Sequence, residues 1–265
     1  AMLSGALLAT DIVLYLTGKK NPIYVPELKM IDFFRDNSFI VNSDWSNFWN
    51  NFADEVYDEI AKLPGYQDML NKALLQAGDN KNVLDAGCGT GNLTVKLAEN
   101  NKVTAIDFSS GMLEKAKIKC NQFENKIIFE QENVEKIHYS DEYFDVLTSI
   151  NLLFNLHRPK LVLKEFHRVL KTGGKLIISS PLRDRMFDEK HKLLIAKDCE
   201  KEQISQEILT KIMKYQNYMC ENKGFKFLPD YQEILKLVQD CGFKIEIADD
   251  NTYYGTNFFI KARKI

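Results

Sequence analysis

The residues best placed to do chemistry stand in one segment, Val83-Leu84-Asp85-Ala86-Gly87-Cys88-Gly89-Thr90-Gly91-Asn92-Leu93-Thr94. An apolar run with strand character leads into a glycine-rich turn, and the turn opens a helix. Glycines at such a turn let the backbone approach a ligand, because no Cβ stands in the way. The spacing is Gly-x-Gly-x-Gly, not the Gly-x-Gly-x-x-Gly of a dinucleotide-binding turn. A pyrophosphate asks only for an anion site at a helix N-terminus. A ligand with an amino-acid moiety also brings an ammonium, which seeks carbonyls and carboxylates. Asp85 lies inside the strand itself, where a buried carboxylate needs partners.

A second strand ends in Val103-Thr104-Ala105-Ile106-Asp107, about twenty residues after Gly87, the spacing at which an acid recognises a ribose. A carboxylate there can accept hydrogen bonds from both ribose hydroxyls. Phe108 beside it and Met112 one turn on could cover an adenine face. A third strand ends in Glu132-Asn133-Val134, where the Asn133 amide could read the adenine edge.

These segments resemble the class I S-adenosylmethionine-dependent methyltransferases, in particular the small-molecule group related to quinone-biosynthesis enzymes. The resemblance covers about Trp45 to Leu182 well and the end of the chain less specifically. Asp85, Gly87 and Gly89 match the first motif of the family, and Asp107 its ribose-binding acid. Asn133 stands where the family often has aspartate. Phe144-Asp145-Val146-Leu147-Thr148-Ser149-Ile150 resembles its fourth strand. Arg168-Val169-Leu170-Lys171-Thr172-Gly173-Gly174 resembles the turn before its fifth, with Thr172 in place of the usual proline. Trp49, Phe52 and Tyr57 fall where the family places an aromatic near the methionine end of the cofactor.

The resemblance implies an α/β fold: a Rossmann-like, seven-stranded, mostly parallel sheet with helices on both faces and a helical cap. It implies S-adenosylmethionine as cofactor, held by Tyr57, Asp85, Gly87, Cys88, Gly89, Asp107, Phe108, Met112, Asn133, Val134 and Ser149, with no metal. The expected reaction is methyl transfer to a small organic acceptor, the acceptor atom (O, N, S or C) being open. A general base is needed only if that atom carries a proton at neutral pH. His157, just after the fourth strand, and Tyr254, between the two closing strands, are the candidates. Two other readings stand beside this one. A catalytically silent cofactor-binding or scaffold protein would keep the same turn. A nicotinamide-dependent oxidoreductase is opposed by the glycine spacing. Asn21-Pro22-Ile23-Tyr24 is similar to the motif of nucleic-acid amino-methyltransferases. No strand precedes it, and Ser149-Ile150-Asn151-Leu152 stands where that motif belongs, so machinery for a flipped base is not indicated.

The elements that must position these residues follow from periodicity. Strands are expected over Asn82–Ala86, Lys102–Ile106, Ile127–Gln131, Phe144–Ser149, Lys175–Ser180, Lys244–Ile247 and Asn257–Ala262. Helices are expected over Gly91–Asn100, Ser110–Asn121, Lys160–Leu170 and Asp230–Asp240. Gly173-Gly174 reads as a helix stop and tight turn. Ile204, Ile208, Ile212, Tyr215 and Met219 mark one apolar helix face. Residues 1–60 and 185–224 are read as helical cap segments around a core of 61–184 and 225–265.

Composition narrows the partners. The formal charge is −2 with no Lys/Arg block, so nucleic acid has no electrostatic footing here. Five scattered cysteines (Cys88, Cys120, Cys199, Cys220, Cys241) form no Cys-x-x-Cys or Cys/His cluster, which points to a reducing, cytoplasmic setting without a zinc site. Met2–Thr17 is apolar, but Asp11 interrupts it and Lys19 and Lys20 follow it. That order fits a packed helix better than a secretory signal or stable membrane insertion. No feature specifies an oligomeric state.

Overall fold

The computed structural model describes residues 56–185, 189–205, 207–213 and 226–265. All of them belong to the unit Asn47–Ile265, and the unit Ala1–Ser46 lies outside them. The expectations for the first fifty-five residues, Trp49 and Phe52 included, therefore fall outside the described residues, as do those for Tyr215 and Met219.

Seven strands build one sheet: β1 Asn82–Ala86, β2 Lys102–Asp107, β3 Ile127–Gln131, β4 Phe144–Ile150, β5 Leu170–Pro181, β6 Phe243–Thr252 and β7 Asn257–Lys264. Their order is β3-β2-β1-β4-β5-β7-β6. The first five pair in parallel, and β7 runs antiparallel to both β5 and β6. Strand β1 carries buried residues on both faces, Asp85 among them, because both faces are covered. Val83 joins the core on one face with Val103, Val146 and Ile177. Leu84 joins the core on the other face with Ile106, Leu147 and Phe166.

The helices are α1 Pro64–Ala77, α2 Thr94–Leu97, α3 Ser110–Lys119, α4 Pro159–Val169, α5 Glu189–Lys201 and α6 Tyr231–Asp240. Val162, Leu163, Phe166 and Val169 form the buried stripe of α4. Asp230 and Glu233 close a reciprocal capping box that starts α6. From β1 the chain winds outward through β2 and β3, then returns to the other side of β1 for β4 and β5. That reversal opens a crevice at the carboxyl ends of β1 and β4, where ligands bind in such sheets.

Three local expectations are corrected. The helix after the glycine turn spans only Thr94–Leu97, because Gly91 takes φ +82° and cannot start a helix. Gly173-Gly174 lies inside β5, not before it. Pairing jumps from Phe144 with Leu170 to Val146 with Lys175, so the pair forms a bulge. The helical stretch beyond α5 is broken: Gln203 takes φ +56° and Ile204 N–H donates to Cys199 O, a left-handed helix stop. Ile204 thus lies between helices, while Ile212 on the segment 207–213 is fully buried.

Candidate cofactor site

The glycine turn hangs from the end of β2: Gly87 N–H and Cys88 N–H both donate to Ile106 O, at 2.8 and 3.0 Å. Gly87, Gly89 and Gly91 all have positive φ, at +74°, +55° and +82°. In that left-handed region a Cβ meets the following carbonyl oxygen, so the path of the turn itself requires glycine. A Cβ on Gly89 would also lie 3.3 Å from the Tyr57 ring.

Asp85 sits at the floor, only 2% exposed. Thr94 Oγ1 donates to its Oδ2 at 2.6 Å and Thr148 Oγ1 to its Oδ1 at 2.8 Å. Thr148 reaches it because parallel pairing sets Asp85 beside Thr148. Burial pushes the Asp85 carboxyl up to about 6, against the pull of the two threonine hydroxyls.

Asp107 closes β2 and ties the turn to the next helix. Its Oδ2 accepts Gly89 N–H and its Oδ1 accepts Ser109 N–H, both at 2.9 Å. Burial raises its carboxyl above the usual range, and these backbone donors offset part of the rise. Ser109 in turn caps α3 by accepting Met112 N–H.

Tyr57 lies above the turn. Its hydroxyl is 3.0 Å from that of Tyr66 on α1, and the rings meet edge to face. Asp58, next in the chain, accepts Thr90 Oγ1 at 2.7 Å and Lys119 Nζ at 2.5 Å. The residues before α1 are thereby latched to the glycine turn and to the end of α3. Tyr57, Tyr66, Asp85, Gly87, Cys88 and Asn92 line one narrow cavity.

The other expected residues are placed as follows. Phe108 is 51% exposed beside Asp107, and Met112 is buried under the same helix start. Asn133 uses its Oδ1 to accept Glu135 N–H within its own loop; Val134 behind it is buried. Ser149 is fully buried, and its neighbours Thr148 and Ile150 face the cavity side, so its side chain projects to the opposite face of the sheet. His157 is exposed between β4 and α4. Tyr254 donates its hydroxyl to Asp198 of α5 at 2.6 Å and accepts Gly65 N–H at 3.3 Å. Tyr253 and Tyr254 hold φ +48° and +57°, a costly pair of left-handed positions for bulky residues. Neither His157 nor Tyr254 lines the cavity.

Sequence reasoning missed Tyr66, Asn92, Thr94 and Thr148. Asn92 and Thr94 stand within the glycine motif and could have been singled out as polar groups opening the helix. Tyr66 carries no local signal. Spacing also did not show that Glu130, Glu132 and His138 come together, with ligand atoms within 4.8 Å of one another. That group lies outside the cavity lining.

A Rossmann-like sheet of this order, with a left-handed glycine turn after β1 and an acid closing β2, defines a class I S-adenosylmethionine-dependent methyltransferase domain. A family model described as "Methyltransferase domain" matches residues 77–217, more than half of the chain, and the chain belongs to that family. It is 37% identical over 116 residues to a demethylmenaquinone methyltransferase of Alkalihalophilus pseudofirmus, covering 42% of this chain and 48% of that one. It is 27% identical over 180 residues to the ubiquinone/menaquinone biosynthesis C-methyltransferase UbiE of Vibrio parahaemolyticus, covering 63% and 66%. The chain thus spans about half to two thirds of the length of these relatives. Among solved structures, the N-methyltransferase NodS from Bradyrhizobium japonicum, bound to S-adenosyl-L-homocysteine, superposes with a TM-score of 0.59 at 14% identity, covering 82% of this chain and 98% of that one.

The residues fit the cofactor of this family, S-adenosylmethionine. The turn leaves a cradle that a Cβ would fill, and Asn92 adds an amide to the cavity wall. No helix among the described residues is long and apolar enough to cross a membrane.

Proposed function

We propose that this protein transfers the methyl group of S-adenosylmethionine to a small organic acceptor. The supporting observation is the cavity in which a buried carboxylate, a left-handed glycine turn and an aromatic roof converge. When bound, the cofactor supplies a methyl group already activated by a sulfonium. The protein's tasks are then alignment and exclusion of water. We assign Asp107 to the ribose hydroxyls, Phe108 and Met112 to the adenine face, Asn133 to its edge, and Gly87, Cys88 and Gly89 to close backbone approach. Asp85 organises the turn beside the ligand ammonium, and the Tyr57 ring offers a face to a cation.

The tyrosines do not act as bases. Burial holds the Tyr57 hydroxyl well above its ordinary value and pushes Tyr66 up to about 12, so both stay protonated at neutral pH. Burial likewise raises the Cys88 thiol, which removes it as a nucleophile. An acceptor deprotonated in solution, or a carbon acceptor activated by its own substituents, suits such a site. Residues 185–224 are proposed to cap it. We place the protein in the cytoplasm, where its described cysteines, all free and buried, stay reduced.

The test is incubation with an isotope-labelled methyl donor and a metabolite extract. Label in a small product supports methyl transfer and identifies the acceptor. Tight cofactor binding by calorimetry without any labelled product indicates the silent scaffold. Binding of NAD instead of S-adenosylmethionine indicates an oxidoreductase.

Asp85 makes this reading pH-dependent. Its folded pKa lies above that of an unfolded aspartate, so its contribution to stability is full below about pH 3.9 and is lost as pH rises through about 6. A ligand ammonium favours the ionised form and reverses that preference on binding. Cofactor affinity is therefore expected to fall as pH drops through about 6, with proton release on binding in that window. Calorimetry in two buffers of different ionisation enthalpy measures both. A flat affinity between about pH 5 and 8 would detach Asp85 from the ligand.

A further inference from the structure

Strand alternation puts Glu130 and Glu132 on one face of β3, because side chains two residues apart point the same way. The ladder runs on past Gln131, where Glu132 N–H donates to Asp107 O at 3.1 Å. The loop that follows brings His138 back to this pair. One ligand atom from each of the three residues lies within 4.8 Å of the others. His138 Nδ1 contacts Glu132 Oε1, and its Nε2 stands 3.7 Å from Glu130 Oε1.

The loop holds the imidazole in that place. Both neighbours of His138 are anchored, since Arg168 donates to Ile137 O at 2.7 Å and to Tyr139 O at 2.8 Å. Ile137 N–H donates to Glu165 Oε1 at 2.8 Å, and the Ile137 side chain is buried. The Tyr139 ring stacks on His138 with centroids 4.7 Å apart, while its hydroxyl donates to Glu130 Oε2 at 2.9 Å. Ligands fixed by their surroundings lose little freedom when an ion binds.

The charge balance points the same way. Glu132 is 11% exposed, and its Oε2 is buried without a hydrogen-bond partner. A buried carboxylate oxygen needs a donor or a cation, and a bound ion is one of the few things that explains an unmatched one. The guanidiniums beside the loop are already engaged, Arg158 by Glu135 and Arg168 by Glu165 and Asp141.

We propose that Glu130, Glu132 and His138 form a binding site for a divalent transition-metal ion of the zinc type. Imidazole nitrogen and carboxylate oxygen are both zinc ligands, and three protein ligands leave a fourth position for water. An imidazole in the set disfavours calcium and magnesium, which take oxygen ligands. This departs from the metal-free expectation that the family resemblance carries. The group lies outside the cavity lining, so the ion takes no part in methyl transfer, and the proposal stands apart from that reading. Its role is to tie the end of β3 to the loop behind it. Glu132 N–H carries that brace to the carbonyl of Asp107.

The test is calorimetry with Zn2+ alone on the tag-free chain, beside thermal denaturation. The wild type should bind a single ion with micromolar affinity or better, and saturating zinc should raise its thermal midpoint. His138→Ala and Glu130→Gln should each weaken zinc tenfold or more and cancel that rise. His138 is exposed and Glu130→Gln keeps an oxygen for Tyr139, so both variants should show near-native circular dichroism; where the glutamine variant folds poorly, His138→Ala decides. Ca2+ and Mg2+ should bind at least tenfold more weakly than zinc. Co2+ in the same site should show visible bands without a thiolate charge-transfer band, because no cysteine is a ligand. Absence of zinc binding by the wild type would overturn the proposal, as would zinc affinity unchanged in His138→Ala. Calcium bound as tightly as zinc would reduce the group to an acidic cluster, and a thiolate band would move the ion to a cysteine; either result overturns it as well.

Discussion

Replacing Gly89 with valine is expected to abolish measurable S-adenosylmethionine binding while leaving the far-ultraviolet circular dichroism near native. Two independent effects act on the same atom. At φ +55° an L-residue costs about 1–2 kcal/mol, and more when β-branched. The new Cβ would also meet Tyr57 Cε1 at 3.3 Å and its hydroxyl at 3.4 Å, before either γ-methyl is added. Tyr57 has little freedom to retreat, because its hydroxyl engages Tyr66 and the adjoining Asp58 is held by Thr90 and Lys119. The side chain therefore either displaces the roof or fills the cradle. In both cases the loss should exceed about a hundredfold, roughly 2.7 kcal/mol. Binding retained within about threefold by calorimetry would show that the turn does not face the ligand.

Asp107→Ala should weaken cofactor binding about tenfold or more, since each charge-assisted bond to a ribose hydroxyl is worth roughly 1.5–3 kcal/mol. From spacing alone, that substitution is expected to spare the fold. The structure revises the expectation. Asp107 is the acceptor for Gly89 N–H and Ser109 N–H, and each buried donor left without a partner costs about 1–3 kcal/mol. The variant should thus lose thermal stability as well as affinity. Asp107→Asn separates the two effects: it keeps one acceptor for these donors but sets an NH2 group against the other. It should recover part of the stability and little of the binding. Thermal denaturation alongside calorimetry reads both quantities. A fully stable Asp107→Ala that binds normally would remove Asp107 from turn and site alike.

Much of the molecule was legible in the chain. The central strands were found because a buried parallel strand carries its apolar residues locally, and β1 ends where the glycine turn begins. The glycine turn was legible for the same reason, since left-handed backbone leaves its trace in residue type. Local signals failed where backbone conformation departed from side-chain pattern. Gln203 stops a helix in a left-handed conformation that its residue type does not announce, and the Gly173-Gly174 pair forms a bulge where it reads as a turn.

The sequence by itself therefore determined the class of sheet, the glycine cradle and the acid that closes β2, because each rests on contacts between near neighbours. Tertiary structure decided who meets whom across the cavity. Asp58 finds Lys119 61 residues away, Asp85 finds Thr148 63 residues away, and Tyr254 turns from the cavity to Asp198 of α5. It also decided that Ser149 faces away, because alternation along a strand divides its residues between two faces but does not say which face meets the cavity. Such pairings are selected by packing and by the cost of leaving buried polar groups unmatched, and neither is visible until distant segments share one interior.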